Sequence, residues 1–153
     1  MSEYEATIAW QRGTQKFVDN RYSRAHEWVF DGGARVPASS SPLSVPAPLS
    51  DAANVDPEEA VVAAASSCHM LWFLSIAAKR GFTVDQYTDR AFGVMGKNSD
   101  HKIALTRITL RPQTVFSGAQ QPTAEQLQEL HHQAHEQCTI AHSLRADVVV
   151  EIA

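Results

Sequence analysis

Two cysteines, Cys68 and Cys138, are the side chains of this 153-residue chain best suited to covalent chemistry, and they lie 70 residues apart. Two readings fit them. Both are small buried hydrophobes, or one is a peroxidatic thiol and the other its resolving partner. The second reading needs a thiolate, so a cation must hold one thiol below the usual pKa of about 8.5. It also needs the second thiol to trap the sulfenic acid before further oxidation. The histidines offer less. His131 and His135 are one helical turn apart and His142 falls on a similar face, but no carboxylate or cysteine set completes a metal site, and a solvated helix flank is expected. His69 follows Cys68 directly, yet on a helix it points about 100° away, which makes it a poor general base for that thiol. Neither a metal nor an organic cofactor is expected.

The element that must position Cys68 is residues 56–81, DPEEAVVAAASSCHMLWFLSIAAKRG. Asp56 is a capping residue, Pro57 suits the first helical position, and Glu58 and Glu59 complement the positive end of the dipole. Lys79 and Arg80 close the helix, with Gly81 as its left-handed terminator. Between Ala60 and Ala78 there is no formal charge and apolar residues run all round, so the helix is buried in a core or spans a bilayer. Ser66, Ser67, His69 and Ser75 interrupt it and no second span exists, which favours the core and no membrane association. Cys138 falls on a second helix that starts at Pro122-Thr123 with a Thr123–Gln126 capping box. There Leu127, Leu130, Ala134, Cys138 and Ala141 share one face, which points Cys138 inward.

The rest of the chain reads as sheet. Tyr4, Ala6, Ile8 and Trp10 alternate with polar residues as a half-buried strand, followed by a connector over 13–20. His26, Trp28 and Phe30 form a second strand, Asp31-Gly32-Gly33 a hairpin turn, and 34–39 its antiparallel return. Residues 37–55 hold four prolines and five serines, a long loop packed on the domain. Residues 82–97 suggest one strand and 103–115 another, with a bulge between Leu105 and Ile108. Val148, Val150 and Ile152 make a closing strand. The expected fold is α+β, antiparallel sheets around a long buried central helix, in a single domain over 1–153. One small sheet covers one side of an all-round apolar helix, so a second copy of the chain is the natural lid.

A net charge of -4 with scattered basic residues argues against nucleic acid or an anionic membrane as partner. The opening MSEYEATIAW is acidic and alternating, unlike a secretory signal, so a cytoplasmic setting is expected, where a paired cysteine is more often redox-active than structural.

The run Asp56-Pro57-Glu58-Glu59, then an Ala-rich helix to Ser67-Cys68-His69, resembles the OsmC/Ohr family of osmotically induced and organic-hydroperoxide-resistance proteins. A second segment, Cys138-Thr139-Ile140-Ala141-His142-Ser143-Leu144, is similar to that family's second cysteine segment. The resemblance covers nearly the whole chain. It implies a stress-response peroxidase that acts as an intertwined homodimer on small-molecule hydroperoxides. Cys68 would be the peroxidatic thiol, Cys138 the resolving one, and an external dithiol, lipoyl-type in one branch of the family, the reductant. Glu58 matches the family's active-site glutamate. An arginine from the N-terminal meander should complete the set: Arg24 is the choice, with Arg21 and Arg35 as alternatives. The guanidinium would stabilise the thiolate while Glu58 holds it by paired hydrogen bonds. Ten residues put Glu58 and Cys68 roughly 15 Å apart along a straight helix. The helix must therefore break near Ser66-Ser67, or the site is assembled across a dimer interface, and the interface is favoured. The chain departs from the family pattern in the length of the 37–55 loop and in Thr139-Ile140, which replaces the common Pro-Val. The alternative is a non-catalytic member that binds a hydrophobic ligand or senses oxidants.

Overall fold

The computed structural model describes residues 1–152, which divide into two compact units, the first ending at Ala60 and the second starting at Val61. In the first unit, β1 (Ala6–Ala9), β2 (His26–Phe30) and β3 (Arg35–Ala38) form an antiparallel sheet in that order. The Asp31-Gly32-Gly33 turn joins β2 to β3 as expected. Gly33 takes a φ of 95°, and the Gly33 N–H bonds the Phe30 carbonyl at 2.9 Å. β1 is present, but every one of its residues is exposed, so its alternating pattern does not mark a half-buried strand within the chain.

The Pro/Ser-rich stretch is ordered by its own hydrogen bonds. Its first two residues belong to β3, and Val55 bridges Ala38 in parallel. Buried Ser39 accepts the Asp51 N–H on its hydroxyl at 3.0 Å, and Asn54 donates to the Ala38 carbonyl at 3.1 Å. Polar side chains here replace the ladder partners that proline cannot supply.

α1 (Pro57–Lys79) begins in the first unit and runs into the second. Asp56 and Glu59 close a reciprocal cap, each backbone N–H bonding the other's carboxylate at 2.9 and 2.8 Å. At the far end Gly81 adopts φ 82°, and the Phe82 and Gly81 N–H groups return to the Ala77 and Ala78 carbonyls at 3.0 and 3.1 Å. That is a Schellman stop, with Phe82 buried over the last turn. α1 is the one helix among the described residues long and apolar enough to cross a membrane, but Ala65, His69, Phe73 and Ala77 are buried in protein instead. Those four fall at strict i, i+4 spacing. The expectation of a helix buried all round does not hold within one chain: Ala63, Ala64, Ser67, Leu71, Ser75 and Ala78 are exposed.

The second unit continues with β4 (Thr83–Asp89), β5 (Phe92–Lys97), β6 (Ile103–Leu110), β7 (Pro112–Ser117), α2 (Ala124–Gln137), α3 (Thr139–Ser143) and β8 (Asp147–Val150). Residues 82–97 and 103–115, each expected as one strand, are two strands apiece, because the chain changes sheet at Arg90-Ala91 and at Arg111. β4 pairs with β7, while β5, β6 and β8 form a separate sheet. Most pairs are antiparallel, but β8 runs parallel to β6. The expected bulge is there: the register slips where Val94 and Met95 face Arg107 and Leu105, leaving Thr106 as the extra residue. Gly93 lets α1 approach β5 closely, since a Cβ there would sit 2.9 Å from both Leu105 and Val62 side chains. α2 starts with the expected Thr123–Gln126 capping box. Two apolar clusters hold the unit together. One joins Phe73 and Ala77 to Phe82, Leu130 and Ala134; the other joins Ala65 to Ile108 and Leu110.

Candidate active site

Cys138 occupies a corner. It is the C-cap of α2 and the N-cap of α3, in extended conformation, and its Sγ accepts the Ala141 N–H at 3.4 Å. A cap residue must turn the chain while satisfying orphan donors, and here the sulfur does what a serine oxygen usually does. The turn buries the side chain to 1% exposure and aims the start of α3 at α1. Cys68 lies mid-helix on α1, half-buried, with its Sγ 3.7 Å from the Thr139 hydroxyl. Both cysteines are free thiols, and each acts on the other's ionisation.

Their electrostatics differ in sign. Partial burial works to raise the Cys68 pKa, but the Ile140 N–H, the Cys138 thiol, the Thr139 hydroxyl and the Thr139 N–H outweigh it and bring the thiol below its ordinary value. Burial pushes the Cys138 thiol up, the Ala141 N–H opposes this only in part, and the neighbouring Cys68 raises it further. Of the two, Cys68 is therefore the more readily ionised thiol. The donors that lower Cys68 come from the first turn of α3 and from Cys138.

Arg24 and Glu58 belong to the first unit, the thiols to the second. Arg24 is held locally: it donates to the Asn20 carbonyl and side chain at 3.1 and 3.0 Å and to the Tyr22 carbonyl, and its guanidinium lies 3.8 Å from the Tyr22 ring centroid. Of the alternatives, Arg35 pairs with Glu27, and Arg21 is exposed. Glu58 is half-buried in the first turn of α1, where Glu59 and not Glu58 closes the cap. No ion pair joins Arg24 to Glu58 among the described residues. α1 is continuous through Ser66-Ser67, so Glu58 and Cys68 stay about 15 Å apart along it.

Three features escaped the sequence reading. Thr139 takes the place of the Pro expected in the family pattern, and it supplies both a hydroxyl and an N–H to Cys68, donors a proline lacks. Ser66, half a turn before Cys68, donates to Asp89 at the end of β4, and Asp89 also accepts the Arg111 N–H at 2.6 Å. The third corrects an expectation: His131 is no solvated flank. It is 2% exposed, and its Nδ1 lies 3.0 Å from Nε2 of His69, itself 1% exposed. A histidine between Leu130 and Ala134 on an apolar face was the available signal. Burial lowers both imidazoles to a pKa of about 4. Among the described residues no group of three or more His, Cys, Asp or Glu is placed to hold a metal ion.

An open groove of about 510 Å³ runs between α1 and α2, lined by Trp72, Ile76, Lys79, His132, Gln133 and Glu136 among others, and Cys68 is not part of it.

Residues 50–153 match the family model described as OsmC-like protein. No curated protein sequence matches the chain. Among solved structures, an OsmC-like protein of unknown function from Vibrio cholerae O1 biovar eltor is 58% identical, with a TM-score of 0.98 and all of each chain covered. The organic hydroperoxide resistance protein OhrB of Bacillus subtilis shares the fold at 20% identity and a TM-score of 0.67, covering 99% of this chain and 98% of that one. An organic hydroperoxide resistance protein from Elizabethkingia anophelis does so at 16% identity and a TM-score of 0.71, covering 99% and 94%.

Proposed function

This chain belongs to the OsmC-like family, and from that premise we propose that it is a thiol-dependent peroxidase that reduces organic hydroperoxides. One observation carries the reading: the Cys68 sulfur lies 3.7 Å from the Thr139 hydroxyl, at the first turn of the helix that Cys138 caps with its own sulfur. The Cys68 sulfur attacks the terminal oxygen of R–O–O–H, the O–O bond breaks, and the alkoxide leaves and takes a proton from solvent. Cys68 is then a sulfenic acid. The Cys138 thiol attacks its sulfur, an S–S bond forms, and water leaves. An external dithiol, of lipoyl type by family resemblance, is oxidised to its own disulfide as it restores both thiols.

The arginine and glutamate are assigned to the same mechanism within a homodimer. The exposed small and apolar face of α1 (Ala63, Ala64, Leu71 and their neighbours) suits a second copy. Such an interface would bring Glu58 and Arg24 to a thiol that one straight helix keeps out of reach. The small residues and the groove beside α2 support a second reading, in which a hydrophobic ligand is held without turnover.

Consumption of cumene hydroperoxide with dihydrolipoamide as reductant separates the two. The wild-type protein is expected to turn over, and Cys68→Ser to lose activity by on the order of 10³-fold or more, as for removal of a nucleophile. Turnover untouched by Cys68→Ser would sink the peroxidase reading.

A further inference from the structure

The mechanism above makes no use of the pair of imidazoles buried between α1 and α2. Their rings are parallel within 4° and edge to edge, with centroids 5.3 Å apart and a 3.0 Å contact between His69 Nε2 and His131 Nδ1. Phe73 stacks on His131 at 4.3 Å. Around them the contact between the helices is apolar, made by Phe73, Ala77, Leu127, Leu130 and Ala134. Stability alone does not explain two histidines there. His69 Nδ1 and His131 Nε2 are buried without partners, as are His135 Nδ1 and Tyr87 Oη. Each such atom forfeits the hydrogen bond it would make in water, a cost that apolar side chains of the same shape would avoid.

What the pair supplies is direction. Apolar side chains let one helix slide or roll on another with little change in energy, whereas a single N–H···N bond in a dry contact accepts one register. Both ends of this bond lead to the thiols. His69 is the residue after Cys68, and the two leave α1 about 100° apart, one toward α2 and one toward the start of α3. His131 lies seven residues before Cys138, roughly 10 Å along α2, and the same helix ends in the corner that presents Cys138, Thr139 and Ile140 to Cys68. We propose that His69 and His131 form a polar latch that sets the register of α1 against α2, and so are positioning residues for the Cys68–Cys138 pair. The consequence for turnover rests on the peroxidase reading; the latch itself does not, because it governs how readily the two thiols meet under any oxidant.

Three proteins test it: His131→Leu, His131→Asn, whose amide stands where Nδ1 was, and the double variant His69→Leu/His131→Leu, which leaves no imidazole unsatisfied. Each is oxidised with a stoichiometric amount of diamide, a thiol oxidant that needs no peroxidase chemistry. Formation of the intrachain disulfide is followed by the loss of two hydrogens in mass. A Cys138→Ser version of each gives the pH profile of Cys68 alkylation, and a thermal melt checks the fold. The double variant is expected to melt no lower than wild type yet to form the disulfide about 10-fold more slowly or worse, the scale for misplacement of reacting groups. Its Cys68 alkylation profile should shift to higher pH, and His131→Asn should restore both rate and profile. A double variant that folds and closes the disulfide at the wild-type rate, with an unshifted profile, overturns the latch. It would leave the peroxidase reading untouched. No cumene hydroperoxide turnover by the wild-type protein, with the expected slowing of diamide closure in the double variant, would do the reverse.

Discussion

Cys68 and His69 are adjacent on α1 and are treated in opposite ways. Around Cys68 the neighbours are donors: the Ile140 and Thr139 N–H groups, a hydroxyl and a thiol, which together favour the charged form over the effect of burial. Beside His69 is a second imidazole, itself stacked on Phe73, and burial favours the neutral form. A rotation of about 100° along one helix separates a cluster of hydrogen-bond donors from a dry core. The difference teaches that charge at this site is set by which helix end faces the side chain. Cys68 meets the open first turn of α3, whose N–H groups have no carbonyl partners of their own; His69 meets the middle of α2, whose backbone groups are all satisfied.

The largest expected effect probes the dry side. With folded values near 4 against 6.5 for an exposed histidine, the unfolded chain binds the extra protons between those pH values. Urea unfolding should therefore show stability complete above about pH 6.5 and falling as the pH drops to about 4, by on the order of 3 kcal/mol for each histidine at most. Other groups facing the pair are His135 on α2, which opposes charge on His69, and Asp89 on β4, which favours it. The double leucine variant should flatten that slope, and a slope equal to wild type would show that the pair is not what titrates.

A smaller effect comes from moving α1 as a body. Gly93→Ala puts a methyl group 2.9 Å from Val62 and Leu105, and a stability loss of roughly 1–2 kcal/mol is expected, with slower disulfide closure if α1 carries Cys68 away from α3. Chemical denaturation with the diamide assay reads both. An unchanged unfolding midpoint would mean that the two side chains give way without moving the helix.

The smallest effect lies on the donor side. Thr139→Val removes one hydroxyl from Cys68, and Thr139→Pro removes the hydroxyl and an N–H together. Both should move the alkylation profile of Cys68 to higher pH, proline further than valine. The matching loss of reactivity at neutral pH should be about 2- to 10-fold, the range for one net hydrogen bond. Equal profiles in all three proteins would remove Thr139 from the account of the thiolate.

Much of this was legible in residue types and spacing. Asp56 and Gly81 mark the ends of α1, Thr123 and Gln126 the start of α2, Asp31-Gly32-Gly33 a hairpin, and the phase change after Leu105 a bulge, because caps, turns and periodicity are local signals. What failed was what depends on partners far along the chain. Residues 82–97 look like one strand, since a change of sheet at Arg90-Ala91 leaves no mark on alternation. The direction of β8 beside β6 is a matter of topology. His131 looked solvated because a lone histidine on a helix usually is, and only the arrival of His69 from 62 residues away makes it a core residue. The all-round apolar character of α1 calls for cover on every side, and one chain covers a single i, i+4 stripe of it.

For this protein the sequence by itself determined where α1 begins and ends, where α2 begins, and that Cys68 and Cys138 are its two thiols. Those follow from interactions within a few residues and from residue chemistry. Only the tertiary structure decided that Cys138 would cap α3 through its own sulfur, that the freed N–H groups of that turn would point at Cys68, and that two histidines would meet in the core. Each of these joins atoms more than 60 residues apart or turns on a corner between helices, and its direction is set by packing, which no local pattern encodes.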